Sequence, residues 1–578
     1  MPHATMPSPG LQALIFCGPG VSLNSFTSSP KDLPKSLVPI ANRPMVWYPL
    51  DWCYRMGING ITLITPAESA GSLEASLATN PALTSLPNPK PEILAPKALT
   101  QTTGTAEILT LPEVQKAITS DFIILPCDLI SELDGSSLVQ QWMNLNDLTL
   151  SSKNSKRKGG MSMFYPTQGL EGISHKKDET DFIGTIKLPP SPVPSPKGSL
   201  RPAIESLVMS MPTDTLKDIT EEDKDKSLKI RTTLLNTFGN VKLRMKHRDA
   251  HVYIFPKWVK DYAAKNDTFE SISEDLVGWW AKAGWQEGLR SKLKLDEVLR
   301  SGKLREMDES MDDFEDEIDA AAKSSTRTSQ LVQAASDEGT SFASRVGSTA
   351  ESSPRTDTPP MLAYVQPALS TSNPSQPLIR RVDNSHQLLN VSLHLAKKLF
   401  PQSLAHEHKI HPTASIGQQS RISQEDSLIA ENVKVGTRVN IKESVIGANC
   451  EIGNNARLTR CLLMEGVQVG EGVQLTGCII GRRARIEGLK PVDSAHPPAE
   501  GAEAGKEVPG RKGKKRAGAG DEEDRTKLTE CEVAPQYVVE AGTELKGEKL
   551  MSFDTEGMSD EDFLDEDGID DDEGMAFG

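Results

Sequence analysis

The chain has 578 residues, a formal net charge of −16 and a hydrophobic content of 37%. That length exceeds what one core usually organises, and the low apolar content predicts sizeable disordered parts beside two or more folded domains. No apolar run reaches the roughly 18 residues of a membrane span, and the first residues lack the pattern of a secretory signal. Seven cysteines without a C-x-x-C pair fit a reduced compartment, so we expect a cytosolic protein without a membrane partner.

The negative charge is concentrated in one segment. Residues 551–578 hold twelve acidic residues and no Lys or Arg, which leaves 64 basic against 68 acidic residues in the rest of the chain. A body of that balance is not a basic nucleic-acid binder, so we expect no direct nucleic-acid partner. The segment itself is predicted to be a disordered, solvated tail, with a basic partner surface as the alternative reading.

Residues 11–302 alternate predicted strands and helices. LQALIFC, INGITLIT and DFIILPCDLI are predicted strands, and ANRPMVWYPLDWCYRMG and TAEILTLPEVQKAI are the helices that separate them. A later strand, DAHVYIF, and a later helix, FESISEDLVGWWAKAGW, complete the region. The β-α-β-α-β order predicts a Rossmann-like α/β domain with right-handed crossovers.

The periodic pattern is lost over residues 303–358. This stretch is rich in Ser, Thr, Asp and Glu and nearly free of aromatics, which predicts a disordered insert. Residues 359–404 are predicted as the end of the α/β domain and a connecting helix, VDNSHQLLNVSLHLAKKLF.

Residues 405–550 show a hexapeptide period in which every third apolar position recurs after 17 residues. Such steps fit neither a helix nor a hairpin, but they fit a triangular coil with one inward aliphatic residue on each side. We therefore predict a left-handed parallel β-helix of five or six coils. Its inward residues are predicted as Val435, Ile441, Ile446, Ile452, Leu458, Leu463, Val469, Leu475, Ile480 and Ile486.

The repeat continues after an interruption. QLTGCII (474–480) and KLTECEV (527–533) occupy the same side of the predicted coil, and Leu475 and Leu528 are 53 residues apart, one coil of 17 plus 36. About 36 residues at 488–525 are therefore predicted to form a disordered excursion from one coil. Its basic run RKGKKR (511–516) is read as linker charge, with a nuclear address or a nucleic-acid contact as the less favoured alternative.

The phrase PKSLVPIANRP (34–44) resembles the P-K-x-L-x-P-x-x-N-K-P motif of the sugar-nucleotide pyrophosphorylase superfamily. It follows a glycine turn with Gly18 and Gly20, TTGTAEIL (102–109) resembles the segment that contacts the base, and DFIILPCDLI resembles the strand whose aspartate binds magnesium. The resemblance implies a remnant nucleotide pocket at Gly18, Gly20, Lys35, Gly104 and Asp128.

The departures from that family concern the chemistry. Ser22 stands where the family's phosphate loop has an arginine, and transfer of phosphoryl-type groups depends on such cations. The best local match to the segment with the second metal carboxylate places Arg381 at the carboxylate position, and no E-K-P sugar segment is present. We therefore predict no catalytic residues, no metal and no required cofactor, with residual nucleotide binding left open. The favoured interpretation is that Lys35 and Asp128 are only structural remnants.

Other candidate residues carry weaker signals. Cys461, Cys478 and Cys531 recur at one coil position and are predicted to stack as small wall residues, since a zinc site would need further ligands. The coils contain no histidine after His411, which argues against a hexapeptide acyltransferase.

The combined pattern is similar to the gamma-type subunits of eukaryotic translation initiation factor two B. The segments that carry this resemblance include LPCDLI, ETDFIG, RDAHVYIFPKWV and CLLMEGVQVGEGVQLTGCIIG, and they cover most of residues 11–300 and 360–548. The resemblance implies a non-catalytic subunit of the factor that exchanges GDP for GTP on initiation factor two. Its implied partners are the other subunits, chiefly epsilon, and initiation factor two itself.

The epsilon type is set apart by a further helical-repeat domain, for which the sequence after residue 550 gives no sign. The alternative function is an active sugar-nucleotide pyrophosphorylase.

Overall fold

A computed structural model describes residues 8–18, 22–100, 102–150, 157–170, 172–175, 178–190, 194–222, 227–286, 288–300, 358–368, 376–488 and 525–551. Nearly all of the predicted insert 303–358, the excursion 488–525 and the acidic tail lie outside these residues. The chain divides into a first unit, residues 1–21, 30–37 and 44–382, and a second unit, residues 22–29, 38–43 and 383–578. In the described part of the chain, no helix is both long and apolar enough to cross a membrane.

The first unit is built on a nine-stranded mixed sheet. The strands of this unit are β1 (Gln12–Phe16), β2 (Gly60–Ile64), β3 (Glu92–Leu94), β4 (Phe122–Pro126), β5 (Leu129–Ser131), β6 (Gly160–Pro166), β7 (Asp181–Lys187), β8 (Ile204–Pro212), β9 (Lys242–Phe255), β10 (Met361–Val365) and β11 (Ile379–Arg381). The strand order of the sheet is β3-β2-β1-β4-β9-β6-β10-β8-β7, and β9 also pairs with β7. A separate two-stranded ribbon joins β5 and β11.

The four strands at one end of this sheet are parallel. Leu14 of β1 pairs with Thr62 of β2 and with Ile124 of β4, so β1 is covered on both edges. Strands of this kind read as continuous apolar runs because both faces are buried under helices. The predicted parallel α/β sheet is therefore present.

Most helices of the first unit are short, and two predicted helices are divided. TAEILTLPEVQKAI forms two helices because Leu111 is extended and Pro112, which has no N–H to continue the first helix, starts the second. FESISEDLVGWWAKAGW begins as a π-helix, Ile272–Val277, and continues as the α-helix Gly278–Ala283. The helices are α2 (Trp47–Arg55), α3 (Ala67–Thr79), α4 (Pro81–Thr84), α5 (Thr105–Thr110), α6 (Pro112–Ala117), α7 (Gly135–Leu150), α8 (Thr213–Glu222), α9 (Thr232–Phe238), α10 (Trp258–Lys265), α11 (Gly278–Ala283) and α12 (Leu289–Lys292), and the second unit holds α1 (Asn24–Thr27) and α13 (Ser385–Lys397).

The second unit contains a left-handed β-helix of six coils, as predicted. Three six-stranded parallel sheets form its sides. Side A is Ser415–Ile416, Lys434–Val435, Glu451–Ile452, Gln468–Val469, Arg485–Ile486 and Val538–Val539; side B is Arg421–Ile422, Asn440–Lys442, Arg457–Thr459, Gln474–Thr476, Lys527–Thr529 and Glu544–Lys546; side C is Leu428–Ile429, Val445–Ile446, Leu462–Leu463, Ile479–Ile480, Glu532–Val533 and Lys549–Leu550.

The predicted register of the coils is confirmed. All ten predicted inward residues are at most 5% exposed and belong to one core. Across the interruption, Leu475 pairs with Leu528 and Ile486 pairs with Val539, so the coils stack as though 489–524 were absent. The hydroxyl of Thr526 donates to the carbonyl of Glu487 at 2.7 Å, which brings the two ends of the excursion together.

Side C carries apolar residues outward as well as inward. The outward residues Val445, Leu462 and Ile479 are at most 3% exposed. The helix α13 contacts the strand Val445–Ile446, and the hydroxyl of Ser25 donates to the carboxylate of Glu532 at 2.9 Å. The boundary between the units falls at residue 382, inside the stretch 359–404 that was predicted as the end of the α/β domain and a connecting helix, and α13 belongs to the second unit.

Candidate functional site

Three of the residues highlighted by the sequence meet in the first unit. Asp128 follows the parallel strand β4, and Lys35 begins a 3₁₀ turn, Lys35–Leu37. Arg381 ends β11, whose antiparallel pairing places it opposite Leu129 of β5. The N–H of Val382 donates to the carbonyl of Asp128 at 2.9 Å, so the ribbon of β5 and β11 fixes Arg381 beside the aspartate.

The three side chains form a buried ion cluster. The Lys35 Nζ atom lies 2.8 Å from Asp128 Oδ2, and Arg381 donates from Nε to Oδ1 at 3.1 Å and from a terminal nitrogen to Oδ2 at 3.3 Å. The side chains of Asp128, Lys35 and Arg381 are 1%, 9% and 13% exposed. Both carboxylate oxygens are therefore engaged by cations away from bulk water.

The electrostatics keep this cluster charged. Burial would raise the pKa of Asp128, but the charges and hydrogen bonds of Arg381 and Lys35 outweigh burial and hold that pKa well below its usual range. Burial would likewise lower the pKa of Lys35, yet the neighbouring carboxylate raises it. The site contains one anion and two cations.

These residues do not fit a divalent metal ion. Magnesium prefers several oxygen ligands with negative charge, whereas Asp128 offers one carboxylate whose oxygens already accept from two cations. The described residues contain no group of three or more His, Cys, Asp or Glu side chains arranged to hold a metal. The side chain that lies against Asp128 from β11 is the cation Arg381 and not a second carboxylate.

The other candidate pocket residues fall in several places. Gly18 follows β1, and a Cβ added to it would meet no neighbouring atom. Gly20 lies outside the described residues. Ser22 belongs to the second unit, and its buried hydroxyl has no hydrogen-bond partner in the part of the chain that the structure describes.

Gly104 has a structural role at the start of α5. Its N–H donates to the Glu107 carboxylate at 2.9 Å, and a Cβ on Gly104 would lie 2.3 Å from the carbonyl oxygen of Glu270. This close approach requires glycine without any ligand. The contact to a nucleotide base that the resemblance implies stays a proposal.

A second group of buried polar residues lies on β7 and β9 and was not singled out from the sequence. The N–H of Asp249 donates to Asp181 Oδ2 at 2.6 Å, and the Tyr253 hydroxyl donates to Asp249 Oδ2 at 2.6 Å. The N–H of His251 donates to Asp249 Oδ1 at 2.8 Å. The register between β9 and β6 shifts from Asp249 to Tyr253, and His251 within this bulge has φ +52°, a conformation that non-glycine residues rarely adopt.

The two aspartates of this group favour protonation. Burial first, and then the charge of Asp181, raises the pKa of Asp249 to about 7. Burial also raises the pKa of Asp181 to about 6. His251 titrates in the opposite sense, because burial and the charge of Arg381 lower its pKa well below the usual value. The segments ETDFIG and RDAHVYIF contain these aspartates, but only the pairing of β7 with β9 brings them together.

The stacked cysteines lie in the core of the β-helix. Cys461, Cys478 and Cys531 are free thiols at most 1% exposed, packed among the inward aliphatic residues. The predicted role as wall residues agrees with this position. The basic run at 511–516 lies outside the described residues.

Comparisons with known proteins identify two stretches of similarity. Residues 404–494 match the model of the EIF2B subunit epsilon LbH domain, where LbH denotes the left-handed β-helix. A stretch of 290 residues, half of this chain, is 26% identical to translation initiation factor eIF2B subunit gamma of Schizosaccharomyces pombe and spans 55% of that relative. The resemblance to the eIF2B subunits is confirmed.

The two matches name different eIF2B subunits. The family model is described for epsilon and covers only the first part of the β-helix, whereas the relative that aligns over half of the chain is a gamma subunit. The chain spans about half the length of the curated eIF2B relative that it matches. The chain therefore resembles the subunits of a translation initiation factor.

Proposed function

We propose that this chain is a gamma-type, non-catalytic subunit of eIF2B, the factor that exchanges GDP for GTP on initiation factor two. In this role it pairs with an epsilon-type subunit in a catalytic subcomplex and helps to hold the substrate factor. The similarity to a gamma subunit over half of the chain supports this assignment. Residence in the cytosol is part of the same proposal.

One observation carries the non-catalytic part of the proposal. Asp128, at the metal position implied by the pyrophosphorylase resemblance, is neutralised by Lys35 and Arg381 within 3.3 Å. Nucleotidyl transfer needs cations that are free to stabilise the phosphates, and here two cations are engaged by one buried carboxylate. The α/β domain is in this reading a degenerate nucleotidyltransferase domain that supplies surface instead of chemistry.

The competing function is an active sugar-nucleotide pyrophosphorylase. Lys35 and Asp128 are both present and close together, which is the observation in its favour. The ion pair with Arg381 and the serine at position 22 speak against it. The two functions differ in assembly as well as chemistry, because a scaffold subunit needs heterologous partners.

Affinity purification of the full chain from its native source, with mass-spectrometric identification of partners, tests the assignment. We expect several different eIF2B-type subunits to co-elute in fixed ratio. Pyrophosphate release is then measured with ATP, GTP or UTP, hexose 1-phosphates and magnesium, using Asp128→Asn as the matched control. Turnover that the control abolishes, together with elution as a single species, would contradict the proposal.

A further inference from the structure

The three sides of the β-helix present different chemistry outward. The outward residues of side C are apolar and buried at Leu428, Val445, Leu462 and Ile479. Side A carries opposite charges in neighbouring coils, and Lys434 lies 2.7 Å from Glu451. Side B differs from both, because its outward residues are exposed or half-buried and mostly basic or neutral.

Side B presents two straight columns of side chains. In-register parallel pairing places the first residue of each strand above the first residue of the next strand, about 4.8 Å away, and the third residue above the third. The middle residues of these strands face the core. The first column is Arg421, Asn440, Arg457, Gln474, Lys527 and Glu544, and the second is Lys442, Thr459, Thr476, Thr529 and Lys546.

The two columns hold five cations and one anion. Lys527 lies 3.9 Å from Glu544, the single carboxylate in the columns. Among the described residues, no carboxylate lies within ion-pair distance of Arg421, Lys442, Arg457 or Lys546, and all four are exposed. In the second column, three threonines lie between Lys442 and Lys546, so this side presents hydroxyl groups together with positive charge. We call these two columns the basic face.

A strongly acidic segment follows the last coil directly. Side C ends at Leu550, only four residues after Lys546 of the basic face, and residues 560–573 hold ten acidic residues and no Lys or Arg. We infer that residues 552–578 dock on the basic face and cover it. The occupant is thus this chain's own acidic segment, and an external acidic ligand reaches the face only after displacing it.

Length and connectivity favour this occupant over a ligand from solution. A stretch of 14 residues spans up to about 46 Å when extended, against about 25 Å for the six coils. Covalent attachment also gives the segment an effective concentration in the millimolar range. Each contact between exposed charges is weak and screened by salt, so the docking depends on several contacts made together.

Zero-length carbodiimide cross-linking of the full chain, which joins lysine amines to carboxylates, tests the inference. Lys442 is the diagnostic position because it lies in the second coil, far from the last coil that residues 552–578 follow. At about 50 mM salt we expect links from residues 560–573 to Lys442 and Lys546. Mixing isotopically labelled with unlabelled chain identifies links within one molecule.

A double charge reversal supplies the specific control. Arg421→Glu with Arg457→Glu changes the basic face without removing a reactive lysine, and we expect it to lower links to Lys442 at least threefold. Arg483→Glu with Arg485→Glu makes the same charge change outside the basic face and should leave them unchanged. If the first variant fails to fold, a second variant replaces the acidic residues at 560–573 by Asn and Gln. In this variant we expect Lys442 to be acetylated faster than in the unmodified chain at low salt.

The competing occupants give different results. Links from 560–573 mainly to Lys512, Lys514 and Lys515 would assign the acidic segment to the basic run at 511–516 and overturn the inference. Three other results would overturn the inference as well. These are links confined to Lys549, equal losses of links in both double variants, and links that form only between labelled and unlabelled chains. A fall of links to Lys442 between 50 and 500 mM salt supports it.

Discussion

Asp128 lies in a buried ion cluster just after β4. Its carboxylate is nearly inaccessible and accepts from Lys35 and Arg381, so it links the end of β4 to the ribbon of β5 and β11. A buried pair of this kind contributes little net stability, but removal of one partner is costly. The cluster is therefore a structural element whose disruption is measurable.

We predict that Asp128→Asn lowers the free energy of unfolding by about 3 kcal/mol, because two buried cations lose their counter-charge. Urea denaturation of the full chain measures the change. Lys265→Met is the control, since its ion pair with Glu297 is 36% and 67% exposed and should matter far less. A loss for Asp128→Asn no larger than that of the control would mean that the cluster is not buried as described.

The aspartate pair predicts an unusual pH dependence. The pKa values of Asp249 and Asp181 in the folded protein, about 7 and about 6, exceed the usual value, so between pH 4 and 7 the folded state binds more protons than the unfolded state. The contribution of this pair to stability therefore falls as pH rises through that window. Asp128 acts in the opposite sense, because its stabilisation is lost only on acidification below the usual aspartate pKa.

We expect Asp249→Asn to flatten the decline in melting temperature between pH 5 and pH 8, because the amide has no proton to lose. Melting curves of both proteins across this range provide the measurement. Parallel pH profiles for Asp249→Asn and the unmodified chain would show that Asp249 does not titrate in this window.

At the scale of elements, the β-helix register makes the sharpest prediction. Val469 points into the core and is 4% exposed, whereas its neighbour Gln468 points outward from the same strand. Val469→Asp buries an unpaired carboxylate and should cost several kcal/mol, while Gln468→Asp should cost less than about 0.5 kcal/mol. Chemical denaturation compares the two, and equal losses would contradict the register.

The interruption of the β-helix allows a second test at this scale. Deletion of residues 489–524 joins Gly488 to Arg525, restores a 17-residue spacing from Leu475 to Leu528, and keeps the contact between Thr526 and Glu487. We expect the melting temperature to change by no more than a few degrees. A deletion of the same length that starts at residue 485 removes an inward residue, Ile486, and should be strongly destabilising.

The parts of the fold that were predictable from sequence are those fixed by local repetition. The inward residues of the coils follow one another at steps of five or six, and each is buried by its immediate neighbours, so the sequence alone reveals them. The division at Pro112 also had a signal in the sequence, the missing N–H of proline, which the helical pattern around it obscured.

The parts that were missed depend on pairing between distant strands. Asp181 and Asp249 are 68 residues apart and meet only because β7 and β9 pair and β9 carries a bulge. No spacing rule connects them. The ion cluster is intermediate, because motif matches singled out Lys35, Asp128 and Arg381, whereas the hydrogen bonds among them depend on the ribbon of β5 and β11.

At the scale of the whole molecule, the two units differ in the groups that they contain. The first unit contains a buried ion cluster and a protonatable aspartate pair, and the second contains a β-helix with chemically distinct sides. In the proposed role as an eIF2B subunit, the chain accelerates exchange by holding the substrate factor close to a catalytic partner, since tethering raises local concentration. Interfaces larger than about 1,000 Å² are what such holding requires.

Release of labelled GDP from initiation factor two tests this account most directly. The rate is measured with this chain alone, with an epsilon-type partner alone, and with both together. We expect no acceleration from this chain alone and a faster rate from the pair than from the epsilon-type partner alone. A full rate from this chain alone, or no change when it is added to the partner, would contradict the account.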